Sequence, residues 1–186
     1  MQQRRLAAIM FTDIVGYTSM MSKNEKEALQ ALQVVRDVLK PLIAKYNGKW
    51  QKEIGDGTLS SFSSAVDAVC CALDFQRALG SRNFKVRIGI HVGEVTMTED
   101  DIFGDGVNIA SRIEPLAPPG GIYITDRVYE DVSNKPEIKT VLVGTRNLKN
   151  VERPIQVYTL VGESLPEPPK IPVSSSLGNH LKDIWE

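Results

Sequence analysis

Apolar and polar residues repeat along this chain at two different periods, and the switches between them mark out an ordered series of elements. Leu6 to Ile14 is almost continuously apolar and reads as a buried strand. From Asn24 to Tyr46 the pattern turns helical, with Ala28, Leu32, Val35, Leu39 and Leu42 on one face. Pro41 inside that stretch predicts a kink or local break, and Asn47-Gly48 supplies a helix stop. Lys49–Ile54 and Thr58–Phe62 read as strands joined at Gly55-Asp56-Gly57, a tight hairpin with a positive-φ candidate on each side of the aspartate. Ser63 or Ser64 caps a second helix that runs to Leu79 on Val66, Val69, Leu73 and Phe75. Phe84 to Met97 is a long strand interrupted by Gly89 and Gly93, and Val107 to Leu116 is a third helix stopped by Ala117-Pro118-Pro119-Gly120-Gly121. Ile122–Ile124 is a short strand, and Thr125-Asp126 opens a short helix. Lys139–Val143 and Ile155–Val161 read as closing strands.

The order strand, helix, strand, strand, helix, strand predicts an α+β fold. Its ferredoxin-like βαββαβ core should be a mainly antiparallel sheet with helices on one face, plus C-terminal strands. The domain is expected over residues 1–161. Residues 162–186, with several prolines and a serine triplet, read as a tail or linker. The last of them, Leu177 to Glu186, read as a stub of something further on.

Composition narrows the function classes. The chain has 186 residues, 42% of them hydrophobic and 24% charged, enough for one domain with a proper core. A formal net charge of −1 provides no field to draw it to nucleic acid or an anionic membrane. No apolar run approaches the ~20 residues of a membrane span. The Leu6–Phe11 run after Arg4-Arg5 is too short for a secretory signal. Adjacent Cys70 and Cys71 read as small buried side chains in a reducing, cytoplasmic setting. His91 and His180 are far apart, so a zinc site is not expected, and His91 on its strand reads as structural.

Candidate chemistry begins with Asp13 and Asp56. Each stands where an apolar strand gives way to a glycine-bearing turn. A carboxylate at the end of a buried strand is costly unless its charge is compensated, and two together suit hard divalent cations. Singly, each is also what a turn prefers. The split βαβ order, however, puts the end of the first strand beside the hairpin, so the two should meet. Ile14-Val15-Gly16-Tyr17-Thr18 forms a glycine-containing loop of the kind that aims backbone N–H groups at phosphate oxygens. Asn108 and Arg112, four residues apart, share one helix face. An amide beside a guanidinium suits a ribose oxygen and a phosphate, although a solvated helix face would look the same.

Four blocks in order then resemble the class III adenylate and guanylate cyclases. They are Phe11-Thr12-Asp13-Ile14-Val15-Gly16-Tyr17-Thr18, Lys52-Glu53-Ile54-Gly55-Asp56-Gly57, Arg87-Ile88-Gly89-Ile90-His91-Val92-Gly93-Glu94 and Phe103-Gly104-Asp105-Gly106-Val107-Asn108-Ile109-Ala110-Ser111-Arg112. The resemblance runs from about Arg4 to Val161. It implies a head-to-tail homodimer with composite sites between the chains. In that picture Asp13, Ile14 and Asp56 of one chain hold two divalent cations, Mg2+ or Mn2+. Lys52 and Asp101 of the other look like the base-selecting pair, Asn108 orients the ribose, and Arg112 stabilises charge on the α-phosphate. Arg87 and Lys149 are matched to the β- and γ-phosphates. At Leu148-Lys149-Asn150 the chain has Asn where many relatives have Gly.

Hydrogen bonding argues for ATP over GTP. Lysine only donates and an ionised carboxylate only accepts, which matches the N1 acceptor and exocyclic amine of adenine. Guanine would oppose donor to donor and acceptor to acceptor, at ~1–3 kcal/mol for each unpaired buried group. Guanylate-forming relatives usually carry a glutamate and a small residue at these places. The expectation is an adenylate cyclase that makes cyclic AMP and pyrophosphate. One alternative is a guanylate cyclase, and another is a catalytically silent cyclase-like module. A polymerase-like or diguanylate cyclase reading lacks its characteristic Gly-Gly-Asp/Glu-Glu-Phe hairpin here.

Overall fold

The computed structural model describes residues 1–170, so the stub read at Leu177–Glu186 lies outside the described residues. One sheet organises the chain in the order β2-β3-β1-β4-β6-β8-β7, with β5 paired to β4. At its centre β1 (Gln3–Ile14) lies antiparallel to both β3 (Gly57–Phe62) and β4 (Val86–Met97). With β2 (Lys49–Ile54) on the edge, these four strands are the expected ferredoxin-like core. The short β5 (Ile102–Phe103) pairs with β4, and β6 (Ile122–Thr125) runs parallel to β4. β7 (Lys139–Arg146) and β8 (Ile155–Val161) extend the sheet antiparallel beyond β6. The fold is α+β with a mixed, mostly antiparallel sheet.

Strand alternation explains the layers. Ala8, Met10 and Ile14 enter the larger core under α2 (Glu25–Lys45), α3 (Ala65–Leu79) and α5 (Asp126–Val132). Ala7 and Ile9 face the other way, onto a second cluster with Leu59, Val95, Ile102 and Ala110 of α4 (Asp105–Ile113). The expected helical face is therefore present, and α4 departs from it by covering the opposite one. This is why β1 reads as continuously apolar.

Two glycines of β4 set how closely α4 docks. A Cβ at Gly93 would lie 3.0 Å from the Gly106 Cα, and one at Gly89 would lie 2.4 Å from the Glu114 backbone nitrogen. Helix and sheet thus meet backbone to backbone, and the glycines that interrupt the strand pattern are the docking surface.

Other departures have local causes. α2 passes through Pro41 without a break, because Pro41 and Asp37, whose carbonyl loses its partner, are both exposed while Leu39 and Ile43 anchor the helix on either side. The buried stripe ends on Ile43, with Leu42 only half-buried. Ser64 is the cap of α3 and accepts from the Asp67 N–H. α4 starts at Asp105 and tightens into a 3₁₀ turn over Glu114–Leu116. At the hairpin only Gly55 has positive φ; Gly57 is extended, and a Cβ there would come 2.8 Å from the Thr12 carbonyl oxygen. A short helix, α1 (Tyr17–Lys23), and the two-residue β5 were not expected. Among the described residues no helix is long and apolar enough to cross a membrane.

Candidate active site

Asp13 and Asp56 meet. The Ile14 N–H donates to Asp56 Oδ2 at 3.1 Å, tying the hairpin tip to the end of β1. Arg36 grips Glu53 on the same hairpin through two bonds of 2.6 and 2.8 Å. Burial, the Asp56 carboxyl and the charge of Glu114 hold the Asp13 carboxyl well above the usual carboxylate range, while Arg87 pulls the other way. Arg87 is the direct cross-strand partner of Asp13 in the β1–β4 register, so both side chains stand on the α4 face of the sheet.

Glu114 completes this cluster, and sequence reasoning missed it. It is only 5% exposed, and burial pushes its carboxyl up, again against the influence of Arg87. Among the described residues its Oε1 and the Arg87 Nε, both buried, have no hydrogen-bond partner. A signal was available: Glu114 follows Gly106 and Ala110 at four-residue spacing, a carboxylate on the buried stripe of α4.

The loop after β1 splits into a turn and a helix start. Gly16 is left-handed at φ 69° and precedes α1, whose first residues are Tyr17 and Thr18. Val15 donates to the Lys85 carbonyl at 2.9 Å, and no side chain caps α1 at its N-terminus.

Lys52 and Asp101 also come together, at 2.6 Å within one chain. A β-bulge at Gln51 brings this about. Trp50 pairs with Ser60 but Lys52 pairs with Leu59, so the extra residue turns Lys52 onto the α4 face that Leu59 shares. The Asp101 carboxyl is held below its ordinary value by Lys52 and by the Ile102 N–H. Both partners are substantially exposed, so the pair adds little to stability.

Asn108 and Arg112 project from adjacent turns of α4, both half-buried, and the buried Arg112 Nε has no partner among the described residues. A cavity of about 490 Å³ flanks Asn108, lined also by Asn150, Val151 and Arg153. Lys149 lies exposed in the turn closed by the bond from the Val151 N–H to the Leu148 carbonyl. Asn150 has φ 62°, a left-handed position that Asn tolerates almost as Gly does, which accounts for the substitution there. Among the described residues no hydrogen bond or ion pair joins Asn108 or Arg112 to the aspartates of the same chain.

Among the described residues no group of three or more His, Cys, Asp or Glu is arranged around a metal position. Two half-buried aspartates nonetheless fit a hard cation that keeps water and substrate phosphates in its shell. Two like charges held together, one of them displaced from its usual pKa, are what such a cation relieves.

Residues 1–162 match the family model described as the adenylate and guanylate cyclase catalytic domain. The chain is 40% identical over 166 residues to a putative adenylate cyclase 3 of Rhizobium meliloti, covering 84% of this chain but only 28% of that relative. Among solved structures, an adenylate/guanylate cyclase/hydrolase from Silicibacter pomeroyi superposes with a TM-score of 0.81 at 34% identity, over 88% of this chain and all of that one. The adenylyl cyclase CyaB of P. aeruginosa gives 0.76 at 27% identity, over 88% and 97% of the two chains.

Proposed function

Since the chain belongs to the adenylate and guanylate cyclase catalytic domain family, we propose that it converts ATP to 3′,5′-cyclic AMP and pyrophosphate at composite sites of a homodimer. The observation that carries this reading is the meeting of Asp13 with Asp56 on one side and of Lys52 with Asp101 on the other. Asp13 and Asp56, with the Ile14 main chain, would hold two divalent cations, Mg2+ or Mn2+. The chemistry such ions supply when bound is acidification of the ribose 3′-hydroxyl and neutralisation of charge on the phosphates.

The chain's own residues do the rest. In the turn from Ile14 to Thr18, where the Ile14 and Val15 N–H groups bond within the chain, those of Gly16, Tyr17 and Thr18 are offered to the triphosphate. Lys52 donates to adenine N1 and Asp101 accepts from the exocyclic amine, exchanging their mutual ion pair for the base. Asn108 fixes the ribose so that its 3′-oxygen faces the α-phosphorus in line. Arg112 answers the charge that develops on the α-phosphate, with Arg87 and Lys149 toward the leaving pyrophosphate. A second copy would supply the complementary half of each site, as the family resemblance implies.

The test is turnover of purified protein with ATP and, separately, GTP, with Mg2+ or Mn2+, over a series of protein concentrations. Cyclic AMP formation with specific activity rising with concentration supports both chemistry and dimer. Folded protein that binds ATP yet forms no cyclic nucleotide at any concentration points to a silent nucleotide-binding module. A preference for GTP overturns the base assignment.

A further inference from the structure

Base selection, as proposed above, depends on Lys52 standing on one face of the edge strand β2, and β2 reaches that arrangement by an irregular route. Successive residues of a strand alternate between faces, so residues three apart belong on opposite ones. Trp50 and Glu53 break this rule. Trp50 packs onto the larger core, with the Lys40 ammonium of α2 4.8 Å from its ring centroid. Glu53 takes the two bonds from Arg36, one helical turn before Lys40. Both therefore face α2, and only an extra residue between them allows it. That residue is Gln51.

On the other face the bulge is pinned a second time. The Gln51 amide nitrogen donates to the Ser61 hydroxyl at 2.7 Å, and Ser61, only 2% exposed, stands on the α4 face with Leu59. Without the bulge, Gln51 would stand opposite Leu59 and Lys52 opposite Thr58, on the α2 side of the sheet and away from Asp101. Resting on the reading of Lys52 and Asp101 as the base-selecting pair, we propose that Arg36 and Gln51 are positioning residues for Lys52. The forked grip of Arg36 on Glu53 and the bond from Gln51 to Ser61 hold the bulge in place. The preference for adenine is thus set in part from α2, on the sheet face opposite the site. A partly exposed ion pair adds little to overall stability, but two parallel bonds fix direction, and direction is what Lys52 needs.

The experiment is competition binding of non-cyclising ATP and GTP analogues to the purified full chain with Mg2+, alongside kcat and KM for both nucleotides. Arg36→Met combined with Ser61→Ala removes one anchor from each face. The ATP-to-GTP affinity ratio is expected to fall roughly tenfold through weaker ATP binding, with KM for ATP rising and kcat changing less than about twofold. Deleting Gln51 from the same variant should return the ratio to near its starting value. The shortened strand then alternates regularly through Trp50, Lys52 and Glu53 and has no bulge left to lose. An unchanged ratio in the double variant overturns the positioning role. So does a loss that the deletion leaves unrepaired, which is what general damage to β2 would produce. Lys52→Ala in the otherwise unaltered chain tests the reading beneath: if its ratio equals that of the unaltered protein, base selection by Lys52 itself fails and the positioning role with it, a result distinct from the other two.

Discussion

Two polar side chains, buried His91 and half-buried Arg87, share the α4 face of β4, four residues apart, and they are treated in opposite ways. At His91, only 3% exposed, Nδ1 meets the Thr125 hydroxyl at 2.8 Å, and Thr125 is itself fully buried. Burial and the charges of Arg153 and Arg127 push this imidazole down to about 4, so it stays neutral. At Arg87 the neighbouring groups are the carboxyls of Asp13 and Glu114, and among the described residues buried atoms of both Arg87 and Glu114 go without partners. A buried polar group with its partner beside it serves the fold. One left unanswered in a half-buried cluster marks where something from outside must come.

The largest effect should come from breaking the unanswered cluster. Asp13→Ala or Asp56→Ala is expected to lower turnover by roughly 10³ or more while leaving the far-ultraviolet spectrum and thermal midpoint close to the original. Near-normal turnover in either variant would show that the pair holds no catalytic cation. Next, Asp13→Ala mixed with Arg112→Ala should recover activity, to at most about a quarter of normal. Half the dimers are then mixed, and each has one whole site of two. A mixture that stays dead although both variants fold and dimerise rules out sites shared between chains. A smaller change is expected from Lys52→Glu combined with Asp101→Ser, which should move the ATP-to-GTP ratio of kcat/KM toward GTP by one to two orders of magnitude, roughly. An unchanged ratio would remove this pair from base selection.

The answered group sharpens the contrast with the smallest expected effect. His91→Leu leaves the Thr125 hydroxyl unpaired and should cost about 1–3 kcal/mol in urea unfolding, with turnover per folded molecule unchanged. The pH dependence has a definite sign. Because the folded-state pKa of His91 lies below the unfolded value, its contribution is present above about 6.5 and lost as pH falls toward 4. That part of the acid-side loss should vanish in the variant; if it persists, His91 is not its source.

How much of this was legible in the sequence depends on where the information lies. Asp13 and Asp56 stood out because each breaks an apolar run, and the split βαβ order alone sufficed to bring them together. The Gly16 turn and the Asn108–Arg112 spacing were equally local. Lys52 was matched by resemblance, but its orientation was hidden, because the bulge at Gln51 that re-aims it has no signature in one strand alone. α1 escaped notice because it buries no residue and so shows no periodicity. Glu114 had only a partial signature, a carboxylate four residues after Ala110 on the buried stripe of α4. Its meaning comes from Gly89, 25 positions earlier by subtraction of their numbers, where only the assembled sheet shows that a missing side chain makes room for a carboxylate.

The glycine contacts of β4 also have a mechanical consequence. With Gly93 against Gly106 and Gly89 against Glu114, no compressible side chain lies between the sheet and α4 at these two points. The helix is braced at both ends and travels with the strands as one stiff plate, so Asn108 and Arg112 keep a constant offset from Asp13 within a chain. If a dimer of such plates closes over a nucleotide, sliding of α4 cannot supply the stroke. The motion falls to the hinge between the two chains and to the segments outside the plate, the β2–β3 tip and the approach to β5.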